Sequence, residues 1–141
     1  PGVIAERIFS LFYSLREADL LRRKEEEQYN FKYDLVMRIR FDLLFLEKLD
    51  LSKIRHDHED PFLLIPIIEG REDQTTDQVA IGDSLTMSTY SDLYIELNRL
   101  ISENNFLPPE TLLKKYISDK KIRLFRNRIN FKIHRQIINL K

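Results

Sequence analysis

At 141 residues, with 43% hydrophobic, 33% charged and 11% aromatic side chains, the sequence has the length and composition of one globular domain over residues 1–141, large enough to bury about two-thirds of its unfolded surface. The absence of Cys excludes disulfides, thiolate metal sites and Cys nucleophiles, while no signal peptide opens the chain and no apolar stretch approaches the roughly 18 residues of a membrane span, so a cytoplasmic place is expected. Formal charge is zero, 23 basic against 23 acidic residues, yet from Lys114 onward ten Lys and Arg stand beside one acid, Asp119, giving that end +9 and the rest −9.

The chain begins at Pro1 rather than Met and enters a helical pattern at once, as expected of a piece of a longer protein. Ile4, Ile8, Leu11, Phe12, Leu15 and Ala18 recur at helical spacing and predict one amphipathic helix from residue 3 to about 28. Its last turns, LRRKEEEQYN, are polar throughout and are expected to project into water, where a pair such as Arg22 and Glu26 contributes only about 0.2–0.5 kcal/mol. KYDLVMRIRFDLLF (32–45) reads at first as a buried strand, and after Asn30 the β-rich apolar run YDLVMRI (33–39) is the predicted strand. LDLSKI (49–54) predicts at most one helical turn and RHDHED (55–60) a polar loop. FLLIPII (62–68) is a strand whose Pro66 argues for an edge or a bulge. EGREDQTTD (69–77) is a loop and QVAIG (78–82) a short strand. Asp83 or Ser84 then caps a helix running to about Asn104, with Leu85, Tyr90, Leu93, Leu97, Leu100 and Ile101 inward. Pro109 opens a further helix in the first turn, where its missing N–H is no loss. KIRLF and INFKIH close the chain as strands on either side of Arg126 to Arg128. The order is that of a mixed α/β domain without internal repeats.

RHDHED places two His and three acids within six residues. Ligand types alone make no metal site, because a metal needs side chains converging in fixed geometry; a solvated loop is the alternative. Glycines at positions 2, 70 and 82 cannot form a phosphate-cradling loop. RIRFD is more pointed. On a strand Arg38, Arg40 and Asp42 share one face and Ile39 and Phe41 the other, at the carboxyl end of a strand where open α/β folds bind ligands. Arg forks suit phosphate, and an adjoining acid suits a divalent cation or a sugar hydroxyl; an Arg–Asp pair closing an exposed strand end is the plainer reading. In DQVAIGD, Asp77 and Gln78 open a strand whose Gly82 permits close backbone approach or a bulge, and Asp83 is a cap.

As an ordered set, YDLVMRIRFDLLF, LDLSKI, DQVAIGDSLTMSTYSDLY and PETLLKKYI resemble glycosyltransferase-like proteins of bacterial and large-virus polysaccharide gene sets, from about Phe12 to Arg135. That family's pattern is close to Tyr-Asp-(apolar)2-x-Arg-x-Arg-Pro-Asp, then Asp-Gln-(apolar)-Ala-Ile-Gly, then His-Pro-Glu-x-Leu-Leu. The resemblance implies an A-type glycosyltransferase fold, a nucleotide-diphospho-sugar-binding α/β domain with a mixed sheet flanked by helices. Its first, nucleotide-binding β-α-β unit would precede Pro1. In that fold a strand ends in Asp-x-Asp holding a metal on the donor diphosphate. Here Asp42 matches the second acid, Arg40 stands in place of the first, Phe41 replaces the Pro, and Pro108 replaces the His.

The implied reaction transfers a sugar from a nucleotide-sugar donor to a glycan acceptor hydroxyl in surface polysaccharide or glycan synthesis. The resemblance assigns the donor diphosphate to Arg38 and Arg40, with Arg123, Arg126 and Arg128 closing over it. The departure at Arg40 leaves two alternatives, Mn2+ or Mg2+ held by Asp42 or a diphosphate neutralised by Arg38 and Arg40 with no metal; the acceptor or sugar falls to Asp42, Asp77, Gln78 and Glu110, with Asp77 as catalytic base. Two other classes stay open. One is a binding or assembly module that keeps the fold without the chemistry, favoured by the missing acid and His. The other is a nucleic-acid-binding domain using basic residues interleaved with Phe125, Phe131 and Ile133, a pattern that strand alternation also explains.

Overall fold

The computed structural model describes residues 2–69, 75–104 and 108–134. Helix α1 (Gly2–Tyr29) ends where Asn30 takes a left-handed backbone, φ 51°, and the Phe31 N–H closes on the Glu26 carbonyl at 3.0 Å; Asn tolerates that conformation better than most side chains. Then follow β1 (Val36–Ile39), β2 (Leu43–Phe45), α2 (Leu51–Asp57), β3 (Leu63–Leu64), β4 (Val79–Gly82), α3 (Ser84–Ser91), α4 (Leu93–Asn104), α5 (Pro109–Asp119), β5 (Leu124–Phe125) and β6 (Phe131–Ile133). Among the described residues no helix is long and apolar enough to cross a membrane.

The fold is mixed α/β, with a mixed sheet flanked by helices. Its four strands run β1-β4-β3-β5, antiparallel except for β3 with β5, while β2 and β6 form a separate antiparallel pair. Alternation divides the core. Val36, Ala80, Leu63 and Leu124 face α1, α3, α4 and α5, and Met37, Ile81, Leu64 and Phe125 face α2 and the β2–β6 pair. Gly82 lies between β1 and β3, where a Cβ would stand 2.6 Å from the Phe62 carbonyl oxygen. Close approach is therefore its role, and it is paired on both sides rather than bulged.

Several sequence expectations change. The strand expected over YDLVMRI does end at Ile39, but RFD does not continue it: the chain turns through Arg40, Phe41 and Asp42 and resumes as β2 in the other sheet. The turn closes with the Leu43 N–H on the Arg40 carbonyl, 3.3 Å. No Gly or Pro announces it. β1 is moreover an edge strand, so the three charges do not share a face of a central one. RHDHED is partly helical, since α2 runs through Asp57; it is capped by Asp50, whose carboxylate accepts from the Lys53 N–H at 3.0 Å. Pro66 follows an interior strand. The N–H groups of Leu63, Ile65 and Ile67 donate to the carbonyls of Arg123, Phe125 and Asn127 at 3.0, 3.1 and 2.9 Å, and Pro66 falls between these donors. The helix expected to reach Asn104 is interrupted at Asp92, whose N–H still closes on the Ser88 and Thr89 carbonyls. Leu85 is 74% exposed, and Met87 takes the inward place. The side chain of Ile4, residues 70–74 of the expected loop, and the basic Arg135 and Lys141 lie outside the described residues.

The polar end of α1 is the largest departure. Its outward side is solvated, but Glu26 is 1% exposed and Asp19 is buried. Arg22 donates to Asp19 (2.9 Å), to Glu26 (2.6 Å) and to the hydroxyls of Ser84 and Ser88 (2.7 Å each). Arg23 donates to Asp19 (2.6 Å) and to the Ser88 carbonyl (2.7 Å). Ser84 donates to Glu26 at 2.7 Å, and Lys32 and the Tyr33 N–H complete that carboxylate's shell at 2.9 and 3.1 Å. Burial pushes the Glu26 pKa up, but these hydrogen bonds and the Arg22 charge outweigh it and hold it at about 2. The helix end is thus a clamp onto α3.

Candidate functional site in the cleft between α1 and the edge strand

A cleft of about 770 Å³ opens where α1 passes the free edge of β1. Leu11 and Leu15 of α1, Val36 of β1 and Met87 of α3 give it an apolar wall, and Arg38, Arg40 and Asp77 supply charge. Phe41, at the tip of the turn after β1, also borders it and is fully exposed, 101%. A fully solvated Phe is unfavourable unless something covers it.

Arg38 alternates with Met37, so it points to the helix side, where it meets Asp77 just before β4. The nearest approach, Arg38 Nη2 to Asp77 Oδ2, is 3.8 Å, too long for a hydrogen bond. Asp77 is 8% exposed, yet among the described residues nothing donates to its carboxylate. Arg38 Nη1 is shut away from solvent without a partner, and so is the hydroxyl of Tyr90. Burial raises the Tyr90 pKa, with the charges of Arg38 and Asp77 acting in opposite directions, so the hydroxyl stays protonated. Buried polar groups are nearly always satisfied, and the two unmet ones here, Arg38 Nη1 and the Tyr90 hydroxyl, lie beside an Asp77 carboxylate that accepts from none of the described residues.

Arg40 and Asp42 are the contrary case. Arg40 Nε and Nη2 donate to the two Asp42 oxygens at 2.8 and 2.6 Å, a bidentate fork whose hydrogen bonds raise the Arg40 pKa further. The Arg40 N–H donates to the Gln78 carbonyl at 3.1 Å, fastening the turn to the entrance of β4.

Of the residues singled out in the sequence, Arg38, Arg40 and Asp77 border the cleft and Asp42 adjoins it through Arg40. The others are elsewhere. Gln78 borders a second groove of about 410 Å³ with Arg128. Arg123 lies over the Phe125 ring, 4.8 Å from its centroid, and Arg126 donates to Thr75 Oγ1 at 3.0 Å. Glu110 is in the first turn of α5, which packs on α4. None of Arg123, Arg126, Arg128 or Glu110 borders the cleft. Sequence reasoning passed over Phe41 as a contact and Tyr90 as a polar group; the one signal for Phe41 was an aromatic in a place where the family pattern has Pro.

Among the described residues no three His, Cys, Asp or Glu side chains come together as a metal would need. Both Asp42 carboxylate oxygens are engaged by Arg40. In RHDHED, His56 is exposed beside Asp57, whereas His58 is buried against the rings of Phe62 and Phe125, at 5.3 and 4.4 Å between centroids. No protein-family model, curated protein or solved structure matches the chain.

Proposed function

We propose that the chain is a glycosyltransferase-type domain, related to the A-type fold, that moves a sugar from a nucleotide-sugar donor to an acceptor hydroxyl in surface polysaccharide or glycan synthesis. The observation that carries the reading is Asp77: a nearly buried carboxylate, free of hydrogen bonds from described residues, facing an apolar-walled cleft beside a guanidinium. An acceptor hydroxyl within its reach gives up its proton to Asp77 as the acceptor oxygen bonds to the anomeric carbon. The bond from that carbon to the diphosphate oxygen breaks, and the electron pair leaves with the diphosphate. Arg40 and Arg38 are the guanidinium groups at the cleft that meet the developing negative charge.

Thermal shift of the full-length protein with a panel of uridine, guanosine, cytidine and thymidine diphospho-sugars tests this. The matching donor at a hundredfold excess over its Kd stabilises the protein by about 2.7 kcal/mol. Asp77→Ala keeps that shift and loses transfer. An unchanged melting temperature with every donor, with and without added glycan, overturns the proposal.

The fork between Arg40 and Asp42 favours a second reading, a binding module without turnover, because it occupies both groups that the family pattern would use. That reading expects donor or glycan binding with no release of nucleoside diphosphate under any metal condition.

A further inference from the structure

Among the described residues, each guanidinium at the cleft already faces a carboxylate: Arg22 has Asp19 and Glu26, Arg40 has Asp42, and Arg38 has Asp77. A phosphate set against Arg38 would therefore also meet the Asp77 carboxylate. What remains unmet is hydrogen bonding. Asp77 has acceptor capacity facing the cleft and Arg38 is a donor beside it, 3.8 Å apart at closest and unbonded to one another. A donor and an acceptor at that separation match two hydroxyls on neighbouring carbons, one giving its proton toward the carboxylate and the other accepting from the guanidinium. Around them the cleft supplies what the C–H faces of a sugar ring need: Leu15, Val36 and Met87 on the walls and the bare ring of Phe41 at the mouth.

From this we infer that the Arg38–Asp77 floor is the acceptor subsite, and that it recognises an uncharged sugar through a pair of adjacent hydroxyls rather than a phosphate or an acidic sugar. This rests on the glycosyl-transfer reading above and narrows it: Arg38 holds the acceptor, which leaves the donor diphosphate to Arg40. The new glycosidic bond then forms at the hydroxyl on Asp77, next to the one on Arg38.

Saturation-transfer NMR titration of the full chain tests the inference, with methyl glucoside, methyl galactoside, methyl mannoside, their monodeoxy analogues and inorganic pyrophosphate as probes. One neutral glycoside binds, and removing either of two adjacent hydroxyls weakens it about tenfold or more, because a site built to bond a hydroxyl rejects the analogue without it. Asp77→Asn, nearly isosteric, weakens the glycoside about tenfold and brings in no pyrophosphate binding, and Arg38→Lys weakens the glycoside similarly. The opposite sign overturns the inference: pyrophosphate competes with the glycoside and binds more tightly once Asp77→Asn removes the repelling charge. So does equal loss for every deoxy position. The nucleotide-sugar thermal shift, run alongside, separates the failures. Donor binding without glycoside binding overturns the acceptor subsite alone, and absence of both overturns the transfer reading as well.

Discussion

Glu26 and Asp77 are both buried carboxylates beside an arginine, and their surroundings differ in one respect. Glu26 accepts from Arg22, Ser84, Lys32 and the Tyr33 N–H, so its negative charge is fully met by the protein. Asp77 faces Arg38 across 3.8 Å and accepts from none of the described residues. A satisfied buried charge specifies how two elements dock; an unsatisfied one keeps its desolvation cost until something else bonds to it. The first is a fastening, the second a site.

The widest test of that contrast is Glu26→Ala. Removing Glu26 from a buried ion network leaves Arg22, among the described residues, with the carboxylate of Asp19 alone and the Tyr33 N–H without its acceptor, and costs about 3–5 kcal/mol, read from urea unfolding. Sugar binding per folded molecule is unchanged. A loss below about 1 kcal/mol, the range of exposed pairs, would put Glu26 in the solvated class after all.

Acid sharpens the same difference. The folded-state Glu26 pKa, about 2, is below its ordinary 4.5, so the stability it confers is fully present above pH 4.5 and is lost as pH falls toward 2. The amount is on the order of 3 kcal/mol. Asp83 adds in the same direction below its ordinary 3.8: burial raises its pKa, but hydrogen bonds from Thr86 and from the Phe62 N–H win and lower it. Glu26→Gln removes most of the slope in stability between pH 4.5 and 2, and an unaltered slope would assign the acid transition to other carboxylates.

The smallest effects on stability belong to the cleft. Asp77→Asn stays within about 1 kcal/mol of wild type, because it breaks no hydrogen bond to a described residue. Phe41→Ser stays within about 0.5 kcal/mol, as expected of an exposed side chain, while weakening the glycoside. A large loss of stability in either variant would make the cleft a structural fastening like the clamp.

The order of elements and the α/β class were legible from hydrophobic period and capping residues: α1, β4, the Asp83 cap, the Pro109 start and the closing strands all stand where their patterns put them. The clamp was not. LRRKEEEQYN has the composition of a solvated helix end, and what buries Glu26 and half-buries Arg22 and Arg23 is Ser84, Ser88 and Asp92, some 60 residues onward. A charge run carries no trace of partners that distant. The break in RIRFD was hidden for a related reason, since Arg40–Phe41–Asp42 turns by way of its own ion pair and the Gln78 carbonyl rather than through Gly or Pro. Arg38 and Asp77 were each visible as candidates. Their gap of 3.8 Å, which decides between phosphate and hydroxyls, exists only once β1 and β4 are in register.

The contacts between α1 and α3 span 62 to 69 residues of sequence. A helix of 28 residues grows within microseconds, but docking it across so long a loop waits for β1 and β4 to pair and for Asp83 to start α3. The stretch of α1 from Asp19 to Glu26 therefore acquires its slow amide exchange late in folding and together with the first turn of α3, as one cooperative unit.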